Sequence, residues 1–294
     1  MRLVTYHSQG TERVGVLDAE RELVFGIDAA HDPGAGGVLG LIESWGSVGP
    51  RVDAGGDAVP VDKVDLRAPF FPRRNVFCVG KNYREHSTEF ARSGFDASDT
   101  ERRNDVPELP IFFTKSTGSI IGPGVPIDPH PELTSSLDYE AELAVIIGRG
   151  GCGIAADRAA EHIWGYTIIN DVTARDLQRA HKQWFLGKSL DTFCPMGPWA
   201  VTADEVDVTN LAVRCWVNGE LRQEGNTGDL IFDVPTLVST LSAGITLQPG
   251  DVIATGTPAG VGIGFRPPRF LGPGDVVSAE ITGLGTLTNP VAGT

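Results

Sequence analysis

Cysteine is scarce. Cys78, Cys152, Cys194 and Cys215 are the four among 294 residues, far apart and without a C-x-x-C pair. Scattered thiols of this kind read as reduced and mostly buried, which argues against a disulfide framework and against zinc held through sulfur. Long apolar runs are missing too: no segment approaches the ~20 residues that a bilayer-spanning helix needs. The opening MRLVTYHSQGTERVG holds no apolar stretch of signal-peptide type. The expectation is a soluble, cytoplasmic protein. Positive charge is short as well, with 24 Lys plus Arg against 38 Asp plus Glu and a net charge of −14. That balance argues against a nucleic-acid backbone or an anionic membrane as the main partner. An anionic small substrate stays open, because a bound cation can reverse the field inside one pocket.

What is present is an ordinary globular composition, 41% hydrophobic and 21% charged, so a packed core is expected and disorder is not. The 37 glycines and 20 prolines are dispersed between short apolar runs, the pattern of a strand-rich chain. Leu3–Tyr6, Val14–Leu17 and Leu23–Ile27 read as strands and Val38–Trp45 as a short helix. A boundary near Ala68 divides a small N-terminal domain, 1–68, from a larger one, 69–294. Beyond it, Asn75–Val79, Ile111–Thr114, Ala141–Ile147 and Tyr166–Ile169 read as strands and Tyr83–Arg92 as a helix. Thr173–Trp184 reads as another helix, opened by Asp171 and Thr173. The charge-dense Asp96–Asp105 reads as a solvated surface. Pro249-Gly250-Asp251-Val252 and Pro273-Gly274-Asp275-Val276 are hairpin-type turns before β-branched runs. The fold class is α+β and β-rich.

Three patterns carry chemistry. In Glu140-Ala-Glu142 the two carboxylates share one face if the segment is a strand, and the rest of that strand is apolar. Adjacent buried carboxylates repel unless a cation neutralises them. Asp171, at the end of the next apolar strand, can supply a third oxygen, and a set with no nearby Cys or His favours Mg²⁺ or Mn²⁺. Spacing alone leaves a second reading open, an edge strand with both glutamates in solvent. His86 and Glu89, at i and i+3, share a helical face, so the carboxylate can orient the imidazole as a general base; by spacing alone the more ordinary reading is a pair on a surface helix. Lys188, in an apolar Gly-punctuated stretch, points either inward at an anion or outward along the surface. Thr255-Gly256-Thr257-Pro258 offers hydroxyl and N–H groups for a carboxylate. Gly260, Gly262 and Gly264 lead into Phe265-Arg266-Pro267-Pro268 rather than a helix, which excludes a nucleotide loop.

The stretches VFCVGKNYREHSTEF (76–90), PIFFTKSTGSIIGPG (110–124), LDYEAELAVIIG (137–148), GYTIINDVTARDLQ (165–178), FLGKSLDTFCPMGPW (185–199) and PGDVIATGTPAGVG (249–262) together resemble the fumarylacetoacetate hydrolase family. They lie in the family's order and cover nearly everything from about residue 75 onward. The resemblance is to members with a short lid and a His-x-x-Glu dyad, of the acylpyruvase and 2-hydroxyhepta-2,4-diene-1,7-dioate isomerase type. It implies a mixed β-sandwich roll with a small N-terminal α+β domain, usually as a homodimer. Glu140, Glu142 and Asp171 resemble the metal ligands, for Mg²⁺ or Mn²⁺. His86 and Glu89 resemble the water-activating dyad, and Lys188 the lysine facing substrate oxygens. Arg175, Gln178, Thr257 and Tyr83 fall at substrate-binding positions, and Ser93–Pro110 at a mobile lid loop.

The activity implied is metal-dependent C–C hydrolysis of a 2,4-dioxo acid of the acylpyruvate or fumarylpyruvate type, through a Mg-bound enolate and a water activated by the dyad. The alternative is isomerisation or decarboxylation of 2-hydroxy-dienedioates or 2-oxo acids in aromatic catabolism. A non-catalytic metal-binding protein would lack His86, Glu89 or Lys188, and all three are present.

Overall fold

The computed structural model describes residues 1–8, 10–27, 36–45, 58–95 and 106–293. The N-terminal part forms β1 (Arg2–Ser8), β2 (Thr11–Asp18), β3 (Leu23–Gly26), α1 (Gly37–Ser44), β4 (Val59–Pro60) and β5 (Asp65–Leu66). The next part forms β6 (Val76–Gly80), α2 (Arg84–Ser93), β7 (Ile111–Lys115), β8 (Ile120–Ile121), β9 (Leu137–Asp138), β10 (Ala141–Ile147), β11 (Ile163–Asn170) and β12 (Thr173–Ala174). Then come α3 (Arg175–His181), α4 (Phe185–Lys188), β13 (Cys194–Thr202), β14 (Ala212–Val217) and β15 (Glu220–Asn226). The last elements are α5 (Val234–Ser242), β16 (Val252–Ala254), β17 (Val276–Ile281) and β18 (Gly285–Pro290). The charge-dense 96–105 stretch, the middle of the expected lid, lies outside the described residues. No helix among those described is long and apolar enough to cross a membrane.

Two sheets dominate. The larger runs β4-β3-β2-β1-β13-β11-β10-β16-β6-β7, with the N-terminal strands joined on through β1 and β13 (Arg2 opposite Val201, Leu3 opposite Ala200). The smaller runs β15-β14-β17-β18. Strand β10 is buried along its whole length, which is why it reads as one continuous apolar run. Its Leu143, Val145 and Ile147 pack with Val213, Cys215, Val277 and Ile281 of the smaller sheet. Its Ala144 and Ile146 pack the other way, with Cys78, Val76 and the Val38, Leu41 and Ile42 face of α1. Cys78, Cys194 and Cys215 are buried and free, and Cys152 is exposed.

Strand directions gather the chemistry at one end of the larger sheet. β10 and β11 are antiparallel, with Ala141 opposite Asn170, so the start of one meets the end of the other. β16 is antiparallel to β10, and β6 is parallel to β16, so the segments leaving β16 and β6 emerge at that same end. Residues 139–142, 170–171, 255–258 and the entry to α2 therefore converge.

Two local expectations need correction. Thr173 and Ala174 are not helical; they pair with Asp138 and Leu137 of β9, and the helix begins only at Arg175. Thr173 donates its hydroxyl to the Asp171 carbonyl (2.9 Å) instead of capping, because the long-range pairing outweighs a local cap. The helix also ends at His181, with Lys182 at a positive φ of 60°. The two Pro-Gly-Asp turns do share a construction: Gly250 and Gly274 have φ of +83° and +85°. Asp251 and Asp275 accept N–H bonds from Gln248 (2.6 Å) and Gly272 (2.8 Å). Only the second opens a hairpin, β17–β18; β16 pairs with β10 and β6.

Candidate active site

Glu140 sits one residue before β10 and Asp171 one residue after β11, so the antiparallel register brings them together. Main-chain bonds fix both: Glu140 N–H donates to Asn170 Oδ1 (3.0 Å) and Asp171 N–H to the Glu140 carbonyl (2.8 Å). Glu142 lies two residues on, and its Oε2 accepts the Gly256 N–H (2.8 Å). One carboxylate oxygen from each of Glu140, Glu142 and Asp171 falls within 4.8 Å of the others, and all three residues are buried.

Three buried cations face them. Lys188, the last residue of α4, places Nζ 2.7 Å from Glu140 Oε2 and 2.8 Å from Asp171 Oδ2. Arg175 places Nη2 2.6 Å from Glu140 Oε1 and Nε 2.9 Å from Asp138 Oδ2. Lys115, which the sequence reading did not single out, donates to Asp171 Oδ1 (2.6 Å), to the Val172 carbonyl (3.0 Å) and to the Lys188 carbonyl. Burial would raise the Glu140 carboxyl, but Lys188 and Arg175 hold it well below the ordinary carboxylate range. Burial would likewise lower the Lys188 ammonium, and Asp171 and Glu140 outweigh it and raise it. Lys188 is thus a cation bound to its neighbours.

Charge is left over. Asp138, Glu140, Glu142 and Asp171 are four buried carboxylates against the three cations Lys115, Arg175 and Lys188. The excess falls on Glu142, which forms no ion pair among the described residues. Burial, then Asp171 and Glu140, push its carboxyl well above the usual range. A buried carboxylate without a counter-ion, beside two others, is a donor set that fits a hard divalent cation. The residues present fit Mg²⁺ or Mn²⁺.

His86 and Glu89 stand on α2, above this end of the sheet. His86 Nδ1 is 3.4 Å from Glu89 Oε2, and both Glu89 oxygens accept the Gly260 N–H (3.1 and 3.2 Å). A cavity of about 20 Å³, room on the order of one water or ion, is lined by His86, Glu140, Glu142, Arg175, Lys188 and Thr257, with Gln178 beside them. Its roof is aromatic: Trp184 meets Phe90 and Phe113 edge-on at 6.1 and 5.2 Å. Gly80 makes room for that indole, since a Cβ there would lie 2.3 Å from Trp184 Cζ3.

The four expected substrate contacts differ in placement. Arg175 and Gln178 reach the cavity, but the Arg175 guanidinium is engaged by Asp138, Glu140 and, through Nη1, Gln178 Oε1 at 3.2 Å. Thr257 reaches it also. Tyr83 opens α2 with its hydroxyl buried and without a hydrogen-bond partner among the described residues, and it does not line the cavity. Besides Lys115, sequence reasoning missed Asp138, Trp184 and Phe113. Asp138 had a signal, since 138, 140 and 142 alternate as carboxylates. Lys115 also had one, a charge closing the apolar run Ile111–Phe113.

The family model described as "Fumarylacetoacetate (FAA) hydrolase C-terminal" matches residues 75–292. This chain belongs to the fumarylacetoacetate hydrolase family. It is 49% identical to the oxaloacetate tautomerase YisK of Bacillus subtilis (strain 168) over 244 residues, 82% of this chain and 78% of the relative. A solved fumarylacetoacetate hydrolase from psychrophilic Exiguobacterium antarcticum superposes with a TM-score of 0.87 at 43% identity, covering all of both chains. A maleylpyruvate hydrolase from Sphingobium sp. SYK-6, solved in complex with manganese (II) ion and pyruvate, superposes at 0.79 with 30% identity, again over all of both chains. The β-rich α+β architecture is that of the family.

Proposed function

We propose that this family member interconverts the keto and enol forms of a small 2-oxo dicarboxylic acid of the oxaloacetate type, with Mg²⁺ or Mn²⁺. The observation that carries the reading is that Glu140, Glu142, Lys188 and His86 line one small cavity together. Likeness to the Bacillus tautomerase supports tautomerisation as the reaction. Glu140, Glu142 and Asp171 would hold the metal, which as a Lewis acid would polarise the 2-oxo group and favour its enolate. His86 turns Nδ1 to Glu89, which leaves Nε2 to take the proton from C3 and return it to the 2-oxygen, so nothing is gained or lost overall. Glu89, held by Gly260, orients the ring. Lys188 supplies a fixed positive charge beside the developing oxyanion. Phe90, Phe113 and Trp184 exclude water from the cavity. The family likeness also leads us to propose a homodimer.

A second reading, hydrolysis of a 2,4-dioxo acid, is favoured by the same His86–Glu89 pair, which can deprotonate a water, and by likeness to the maleylpyruvate hydrolase. Turnover of enolic oxaloacetate and of a panel of acylpyruvates, each with Mg²⁺ and with Mn²⁺, separates the two. The proposal expects faster ketonisation and slow or no acylpyruvate cleavage. Cleavage without accelerated ketonisation would overturn it in favour of the hydrolase.

A further inference from the structure

Gln223 lies in β15 of the smaller sheet, outside every motif singled out above, and is fully buried. Its amide makes three bonds. Oε1 accepts the Ala141 N–H (3.1 Å), while Nε2 donates to Thr257 Oγ1 (2.7 Å) and to the Pro258 carbonyl (2.7 Å). The orientation is unambiguous, because the reverse would set the amide's own hydrogens against the Ala141 N–H. Thr257 closes the figure: its hydroxyl donates to the Ala141 carbonyl (2.9 Å). Gln223, Thr257 and Ala141 form a closed triangle, and Ala141 is the residue between Glu140 and Glu142.

Backbone shape shows that the loop is seated on β15 by construction. A Cβ on Gly225, two residues from Gln223 on the same face, would lie 2.6 Å from Pro258 Cβ, and one on Gly260 would lie 1.9 Å from the Arg222 carbonyl. The triangle also settles what the Thr257 hydroxyl can do. It owns one proton, which goes to Ala141, and one of its lone pairs takes the Gln223 N–H. No hydroxyl proton remains for a substrate carboxylate.

We infer that Gln223 and the Thr257 hydroxyl are positioning groups for the Glu140–Glu142 ligand pair and not substrate contacts. The inference rests on the metal reading of those carboxylates. It extends that reading to a residue on the other sheet. Groups that orient metal ligands through hydrogen bonds typically cost about 10–100-fold in metal affinity when removed, and that is the effect expected here.

The test is Mn²⁺ binding to the full chain without substrate, followed by oxalate binding at saturating Mn²⁺. Thr257→Ser keeps the hydroxyl and should bind Mn²⁺ as the wild type does. Thr257→Val and Gln223→Met should each bind it about 10–100-fold more weakly, and the double variant should lose less than the two combined, because both break one triangle. Oxalate affinity of the metal-loaded variants should change little. Wild-type Mn²⁺ affinity in Thr257→Val, with weakened oxalate binding, would overturn the inference and return Thr257 to the substrate. If Gln223→Met does not fold, the Thr257→Val and Thr257→Ser pair decides alone. A wild-type chain that binds no Mn²⁺ overturns the metal reading, and the inference with it.

Discussion

The Lys188 ammonium lies 2.7 Å from Glu140 Oε2, and neither side chain reaches bulk water. It bridges Glu140 and Asp171 (2.8 Å to Asp171 Oδ2) in a cluster that carries one carboxylate too many, so Lys188 and a bound cation act on the same carboxylates. Replacing Lys188 by Met leaves Glu140 and Asp171 repelling each other in a dry site, and breaking a buried pair this way costs about 3–5 kcal/mol. The metal-free variant should melt well below the wild type, and Mn²⁺ should raise its melting temperature by more than it raises the wild type's. Thermal melts with and without Mn²⁺ check this; equal metal-induced shifts would count against it.

The dyad should behave differently. His86→Ala and Glu89→Gln should each slow turnover by about 10²–10⁴-fold, the range for a lost acid–base group. Their effects should not add, since Glu89 acts through the ring. Mn²⁺ affinity should stay at the wild-type value, because neither residue is among the three ligands. Rates and metal titrations on the same samples test both halves.

Gly264 is a second handle on Glu89. A Cβ there would fall 1.6 Å from Glu89 Oε1, where the carboxylate holds the Gly260 N–H. Gly264→Ala must push Glu89 away, so it should lower turnover in the direction of Glu89→Gln. Strain of about 1–3 kcal/mol should accompany it. Gly244→Ala is the control, since nothing lies within 4 Å of a Cβ there. Equal activity of the two variants would contradict the placement of Glu89.

Metal binding should depend on pH through Glu142. Burial and the neighbouring Asp171 and Glu140 raise its carboxyl in the metal-free chain, so as pH falls a proton occupies the position a cation needs. Its own contribution to metal-free stability is greatest on the acid side and is lost as pH rises through the raised value. The cation replaces that proton, so the Mn²⁺-induced rise in melting temperature should be larger at about pH 8 than at about pH 5. The same rise at both would show that Glu142 does not ionise on binding.

Much of the site is legible in the chain because it is local. Glu140 and Glu142 announce themselves as two carboxylates opening an apolar strand, and Asp171 closes the next one. What was not legible depends on distant pairing. Thr173 carries a good cap side chain and is nonetheless a strand residue, because Asp138 lies across from it. Lys115 lies 56 residues from the Asp171 it neutralises. Gln223 sits in an edge strand of ordinary composition, and only the packing of the two sheets brings its amide to Ala141. The roof of Phe90, Phe113 and Trp184 is drawn from α2, β7 and the turn before α4, segments that are far apart in the sequence.

In the proposed reaction a divalent cation held by Glu140, Glu142 and Asp171 works with His86 on a 2-oxo acid. The most direct measurement is the initial rate of ketonisation of enolic oxaloacetate as Mn²⁺ is titrated into the full chain. A saturating acceleration is expected, with a midpoint that matches Mn²⁺ binding measured on the same sample, and it should be lost in Glu142→Gln. A rate no greater than that of Mn²⁺ alone in buffer, or one undiminished in Glu142→Gln, would contradict it.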